Sequence, residues 1–81
     1  VVTNPTHYAV ALRYHPDEGA APVVLVKGVR KRAERIKALA REAGIPTVEN
    51  VPLARALHAT VDEGAAISES LYGAVAAVLA E

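Results

Sequence analysis

The sequence predicts a small α/β domain, a mixed β-sheet flanked by helices and formed by a single unit over residues 1–81. Three observations predict it. Tyr8, Val10, Leu12 and Tyr14 alternate with Ala9, Ala11 and Arg13, a period of two that reads as a strand. Val23-Val24-Leu25-Val26 is a continuous apolar run suited to a central strand. Beyond it, apolar residues recur at helical spacing between Gly and Pro punctuation. Strands interleaved with helices in so short a chain make one layered domain around one core.

The elements follow in order. Val1-Val2-Thr3 is β-branched and reads as the end of a strand. Asn4-Pro5-Thr6-His7 reads as a type I turn, with Asn favoured at its first position and Pro at its second. The strand 8–14 follows, then turn chemistry at His15-Pro16-Asp17-Glu18-Gly19. Pro22 introduces the apolar strand, and Gly28 is read as its end. Val29, Ala33, Ile36, Leu39, Ala40 and Ala43 predict a helix over 29–43, ended by Gly44. Ile45-Pro46-Thr47-Val48 is a short strand, parallel to 23–26 if the crossover is right-handed. Pro46 suits an edge or a strand start. Pro52 opens a second helix running to about Thr60. Ile67, Leu71, Val75, Val78 and Leu79 mark a third, with Gly73 a mild weakness. Ser68 and Ser70 lie near its start, where capping is the usual role.

Composition narrows the function. The chain has no Phe, Trp or Met, so its core is aliphatic apart from three tyrosines. It has no cysteine, which removes disulfides, thiolate metal sites and cysteine nucleophiles. No apolar run approaches the roughly 20 residues that span a membrane. With no initiator Met and no signal peptide, the chain is expected to be a piece of a longer protein. The formal charge is zero but unevenly placed. Residues 1–48 carry eight Lys/Arg against four Asp/Glu, and residues 49–81 carry one against five. Seven of the nine basic residues lie between Lys27 and Arg41.

The candidate chemistry lies at Asn4-Pro5. An Asn side chain is normally attacked by the next backbone N–H, which closes a succinimide and deamidates it. Pro5 has no N–H, so this route is closed. The reverse attack remains: the Asn4 amide nitrogen adds to the Asn4 main-chain carbonyl, and collapse breaks the Asn4-Pro5 bond. A carboxamide is a poor nucleophile. The fold must therefore orient it, and orientation lowers such barriers by roughly 7–11 kcal/mol. His7 is the nearest titratable group and could accept a proton directly, through a water, or serve only to hold the turn. On local sequence alone an ordinary Asn-Pro turn is the commoner reading.

The rest of the chain changes that reading. NPTHYAVAL at 4–12, APVVLVKG at 21–28, IPTVENVPLARAL at 45–57 and SLYGAVAAVLAE at 70–81 occur in the order of one known family. On these segments the chain resembles the C-terminal cytoplasmic domain of the FlhB/YscU/SpaS export-switch family of type III secretion. HYAVAL, APVV-x-VKG and LY-x-AVA look like its flagellar branch. Ser68 stands where the family commonly has Pro, and relatives often continue past Glu81 with aromatic residues. The resemblance implies a domain on the cytoplasmic face of the bacterial inner membrane, attached to a membrane-embedded region. It implies a substrate-specificity switch that self-cleaves at the position matching Asn4-Pro5, with Thr6 and His7 completing the motif. This is a single-turnover intramolecular reaction, not a turnover enzyme. Implied partners are the other export-gate membrane protein, the hook-length ruler protein and export substrates; no cofactor is implied.

Other features carry weaker chemistry. Arg30, Lys31, Arg32, Arg35, Lys37 and Arg41 could face nucleic acid or an anionic membrane. No aromatic residue is interleaved with them. A solvated face with pairs such as Glu34 to Lys37, or a dock for an acidic protein, is preferred. A nucleic-acid-binding module is the alternative of another class, and an injectisome switch the alternative within the family. His7, His15 and His58 lack paired metal-ligand spacing, and His15 and His58 read as ordinary surface residues. Asp62 and Glu63 read as a solvated loop. Arg55, within Pro52-Leu53-Ala54-Arg55-Ala56-Leu57, reads as an outward residue of a helix packed through Leu53 and Leu57.

Overall fold

The computed structural model describes residues 1–5, 7–14, 17 and 21–79. Thr6, His15 and the rest of the turn at 15–20 except Asp17 lie outside the described residues. The strands are β1 (Val2–Asn4), β2 (Tyr8–Arg13), β3 (Val23–Val29) and β4 (Val48–Glu49). The helices are α1 (Lys31–Glu42), α2 (Val51–Thr60) and α3 (Tyr72–Leu79), the last preceded by a 3₁₀ turn at Glu69–Leu71.

The sheet has four strands in the order β3-β2-β1-β4. β2 is antiparallel to both β1 and β3, while β1 and β4 are parallel. β1, β3 and β4 therefore run one way and β2 runs back, which is the mixed sheet expected. The fourth strand runs parallel to β3 as expected but is not its neighbour. α1 carries the chain past two strands, and β4 pairs with β1 through Val48 N–H to the Val1 carbonyl at 2.8 Å and Asn50 N–H to the Thr3 carbonyl at 2.9 Å. The strand itself starts at Val48, beyond the Ile45-Pro46 pair read as its beginning. β4 is an edge, where a nearby proline is tolerated.

The alternation in β2 has a more specific meaning than a half-buried strand. Tyr8, Val10 and Leu12 pack into the larger core with Val2, Val24, Leu53, Leu57, Ile67, Val75 and Val78, under α2 and α3. Ala9 and Ala11 face Ala33 and Ile36 of α1 on the other side. Both faces are thus covered, and the small alanines let α1 approach closely. Tyr14, expected in the strand, lies just past it and is exposed.

Gly28 does not end β3. It pairs with Ala9 inside the strand, which continues to Val29. A Cβ there would lie 2.5 Å from Cγ of Arg32 and 2.9 Å from its Cβ. The glycine serves the close approach of α1 to the strand rather than a break. Helix α1 accordingly starts at Lys31, and Val29 belongs to the strand. Its buried stripe is Ala33, Ile36 and Ala40, whereas Leu39 is half exposed. Its end is as expected. Gly44 adopts φ +71°, and Gly44 N–H and Ile45 N–H donate to the carbonyls of Arg41 and Ala40 at 3.2 and 2.8 Å. That pair of bonds is a Schellman motif.

Helix α2 is capped by Asn50, whose Oδ1 accepts from Leu53 N–H at 3.1 Å, with Pro52 in the first turn. The third helix is shorter than its apolar spacing predicts. Ile67 is buried but precedes it, because the chain first makes the 3₁₀ turn. Ser68 stands at the start of that turn without capping it; its hydroxyl and that of Ser70 are 2.9 Å apart.

Candidate functional site

Asn4 is the last residue of β1, and its register partner is Tyr8, the first of β2. The hairpin therefore closes through residues 5–7 alone. His7 N–H donates to the Asn4 carbonyl at 3.0 Å, the bond that closes a four-residue turn. A turn thus closes where the sequence predicts one; Thr6, on which the predicted type depends, lies outside the described residues. Asn4 is buried, at 8% exposure, although Pro5 and His7 on the same loop are exposed. Burial follows from its place in β1, between β2 and β4 and beneath α2.

Three groups from distant parts of the chain grip this loop. Asn50 N–H donates to the Thr3 carbonyl at 2.9 Å, just before the bond between Asn4 and Pro5. Arg30 N–H donates to the His7 carbonyl at 2.9 Å. Lys37 Nζ donates to the Pro5 carbonyl at 2.9 Å. By sequence Arg30 and Lys37 belong to a solvated basic face; the structure brings both to the loop. The expected Glu34–Lys37 pair does form, at 2.8 Å.

Arg30 joins β3 to α1 with φ 50° and ψ −114°. This is a conformation that glycine adopts freely and that costs other residues about 1–3 kcal/mol. The strained backbone is the one whose N–H holds His7. Arg30→Gly is expected to stabilise the domain by about 1 kcal/mol, the strain relief exceeding the extra chain entropy of glycine. Urea unfolding measures it, and a lowered midpoint would show that the strain is absent.

On the far side of β2 the ring of Tyr8 stacks on His58 of α2, with centroids 4.7 Å apart, and lies 6.1 Å from the ring of His7. His58 is thus half buried behind the loop, not the ordinary surface residue its helix-flank position predicts. Burial, and secondarily the Lys27 ammonium, hold its pKa below the usual histidine value. Lys27 Nζ donates to the His58 carbonyl at 2.8 Å. Glu63 is also more than a solvated loop residue. Its Oε2 accepts from Lys27 N–H at 2.9 Å and from Arg32 Nη2 at 3.1 Å, joining the 62–66 loop to β3 and α1. Arg55 is exposed, as expected.

Chemically, the arrangement offers an amide side chain next to its own main-chain carbonyl, and a leaving nitrogen that is a proline. A backbone donor already points at the carbonyl oxygen. The His7 N–H, 3.0 Å from the Asn4 oxygen of the intact chain, stands on the side where charge would develop if that carbon were attacked. Among the described residues, no group of three His, Asp or Glu could hold a metal ion.

Fold and site together define a small α/β domain whose central hairpin closes through a buried Asn followed by an exposed Pro. The chain belongs to the FlhB HrpN YscU SpaS family, whose model matches residues 1–81. It is similar to the flagellar biosynthetic protein FlhB of Helicobacter pylori, with 53% identity over 81 residues that make up 100% of this chain and 22% of that protein. It is also similar to the hypersensitivity response secretion protein HrcU of Ralstonia nicotianae, with 49% identity over 99% of this chain and 22% of that protein. The chain thus spans about a fifth of the length of the curated relatives it matches. Among solved structures, the cytoplasmic domain of FlhB from Shewanella putrefaciens superposes with a TM-score of 0.91 at 47% identity, covering 98% of this chain and 60% of that one. A mutated EscU C-terminal domain superposes with 0.92 at 35% identity, covering 98% and 79%. The resemblance carried by the motifs at 4–12, 21–28, 45–57 and 70–81 is thereby borne out, as is the fold class. No helix among the described residues is long and apolar enough to cross a membrane.

Proposed function

We propose that this chain is the cytoplasmic C-terminal domain of a type III protein export component at the bacterial inner membrane, and that it divides its own chain between Asn4 and Pro5. The observation that carries the reading is the hairpin turn: a buried Asn4, a following Pro5, and the His7 N–H 3.0 Å from the Asn4 carbonyl oxygen. The Asn4 amide nitrogen attacks the Asn4 carbonyl carbon. The oxygen takes up charge opposite the His7 N–H. The adduct collapses by breaking the bond to Pro5, whose nitrogen receives the proton lost by the amide. The products are a succinimide at Asn4 and a free Pro5 amine, with no water consumed. Cleavage replaces a held turn with a charged chain end while the sheet persists. Such a change can alter a recognition surface without refolding the core, which is what a switch between export-substrate classes requires.

The relatives support this reading. C-terminal domains of EscU have been solved with an Asn, and with the Pro that follows it, each replaced by Ala. The flagellar branch is favoured, because the solved FlhB domain is 47% identical and the EscU domain 35%. Its partners would then be the other large export-gate membrane protein, the hook-length ruler protein and export substrates. An injectisome role is the second reading, supported by the 49% identity to HrcU.

The test is mass spectrometry at early times after folding. The two fragments are expected to sum to the intact mass, with the ring-closed Asn4 end appearing before the hydrated one. Direct attack by water would instead add one water at once. In oxygen-18 water it would label only a normal Asn α-carboxylate. That result would remove Asn4 as the nucleophile.

A further inference from the structure

We propose that Lys37 is a positioning residue for the reaction at Asn4-Pro5, holding the residue on the leaving side of the bond by its carbonyl. The inference rests on the self-cleavage reading above. It starts from an oddity of α1. Arg32, Arg35 and Arg41 of this helix are exposed, as are Arg30 and Lys31 at its start. Lys37 is different: its side chain is only 18% exposed. It lies three or four residues from Ala33 and Ala40 and next to Ile36, on the stripe that packs against the sheet. A cation on such a stripe loses hydration and needs partners. It has them in the Pro5 carbonyl at 2.9 Å and Glu34 Oε1 at 2.8 Å.

The geometry explains why this position reaches the loop. Side chains on a helix lean toward its N-terminus. Lys37 therefore points back toward the start of α1, where Arg30 N–H already holds the His7 carbonyl. Lys37 of α1 and Arg30, the residue just before that helix, thus grip the loop at two carbonyls, Pro5 and His7, on either side of residue 6. Fixing both leaves the Asn4-Pro5 peptide little freedom to rotate away from the attacking amide. The donor on Lys37 is a charged group, so its hydrogen bond is stronger than one between neutral partners. Glu34 lies on the same helix and balances the charge of the ammonium, whereas the Pro5 carbonyl is the partner that ties Lys37 to the loop. An Arg at this position would also present N–H donors to a carbonyl, whereas Met would keep the apolar stem and remove the donor.

The experiment follows cleavage of the full chain by mass spectrometry in the wild type, Asn4→Ala, Lys37→Met and Lys37→Arg. Urea unfolding of each Lys37 variant is measured in the Asn4→Ala background, where no cleavage confuses the midpoint. Lys37→Met is expected to cleave about tenfold more slowly, the effect of losing one charge-assisted hydrogen bond. Lys37→Arg should restore the rate to within about threefold of wild type, and both variants should remain folded under the assay conditions. Met and Arg variants that slow alike, or a Met variant that is substantially unfolded in the assay, would make Lys37 a residue of the fold and overturn the proposal. Failures of the two ideas look different. No cleavage in the wild type, or cleavage surviving Asn4→Ala, would remove the self-cleavage reading and this inference with it. Cleavage that Asn4→Ala abolishes and Lys37→Met leaves untouched would remove only the role of Lys37.

Discussion

Asn4→Ala is expected to abolish division of the chain at Asn4-Pro5, because alanine has no amide to attack the carbonyl. The hydrogen bond from His7 N–H to the residue 4 carbonyl, at 3.0 Å in the native chain, is a backbone contact and should survive the change. The variant should therefore fold, and its loss of cleavage should be chemical rather than structural. The stability cost should be about 1–3 kcal/mol, the scale for truncating one buried polar side chain, with Asn4 8% exposed. Intact mass after prolonged incubation, alongside a urea unfolding curve, checks both halves. Undiminished cleavage in a folded Asn4→Ala chain would exclude Asn4 as the nucleophile. The substitution His7→Ala offers a graded contrast. It keeps the backbone donor and removes only the ring, so it should slow the reaction without stopping it.

A peptide spanning Val1 to Leu12 is expected to cleave about a thousandfold more slowly than the folded chain, about 4 kcal/mol and so part of the roughly 7–11 kcal/mol that orientation can supply. It contains the whole Asn4-Pro5-Thr6-His7 motif and both strands of the hairpin. It lacks the grips on the Thr3, Pro5 and His7 carbonyls, which come from Asn50, Lys37 and Arg30. An isolated two-stranded hairpin is at best marginal in water, so the turn would be occupied only part of the time. The same loss is expected in urea above the unfolding midpoint. Equal rates for peptide and domain, measured by mass spectrometry under identical buffer conditions, would show that the local sequence suffices. The scaffold would then have no catalytic part.

These expectations depend on features that differ in how far they can be read from the chain. The motif, the turn, the strand alternation in Tyr8–Arg13, the end of the first helix at Gly44 and the start of the second near Pro52 are local. Each is written in residues a few positions apart, and each is found where the sequence places it. The family resemblance was legible for a similar reason, since four segments with fixed chemistry occur in a fixed order.

What escaped the sequence is what joins residues far apart in it. Whether Gly28 breaks a strand or admits a helix depends on where Arg32 lies, and only packing determines that. Lys37 reads as one more surface cation until α1 is laid across the sheet and its ammonium meets a carbonyl 32 residues earlier. His58 reads as exposed until α2 sets it against the ring of Tyr8. The neighbour of the last strand could not be inferred from direction alone, because β1 and β3 run the same way and either could have received it. The sequence by itself determined the Asn4-Pro5 pair on which the proposed cleavage rests and the turn that carries it, since these are written within a few residues of chain. Only the tertiary structure decided which groups hold that pair in place. Holding it is a matter of contacts closed across 23 to 47 residues, which no local propensity encodes.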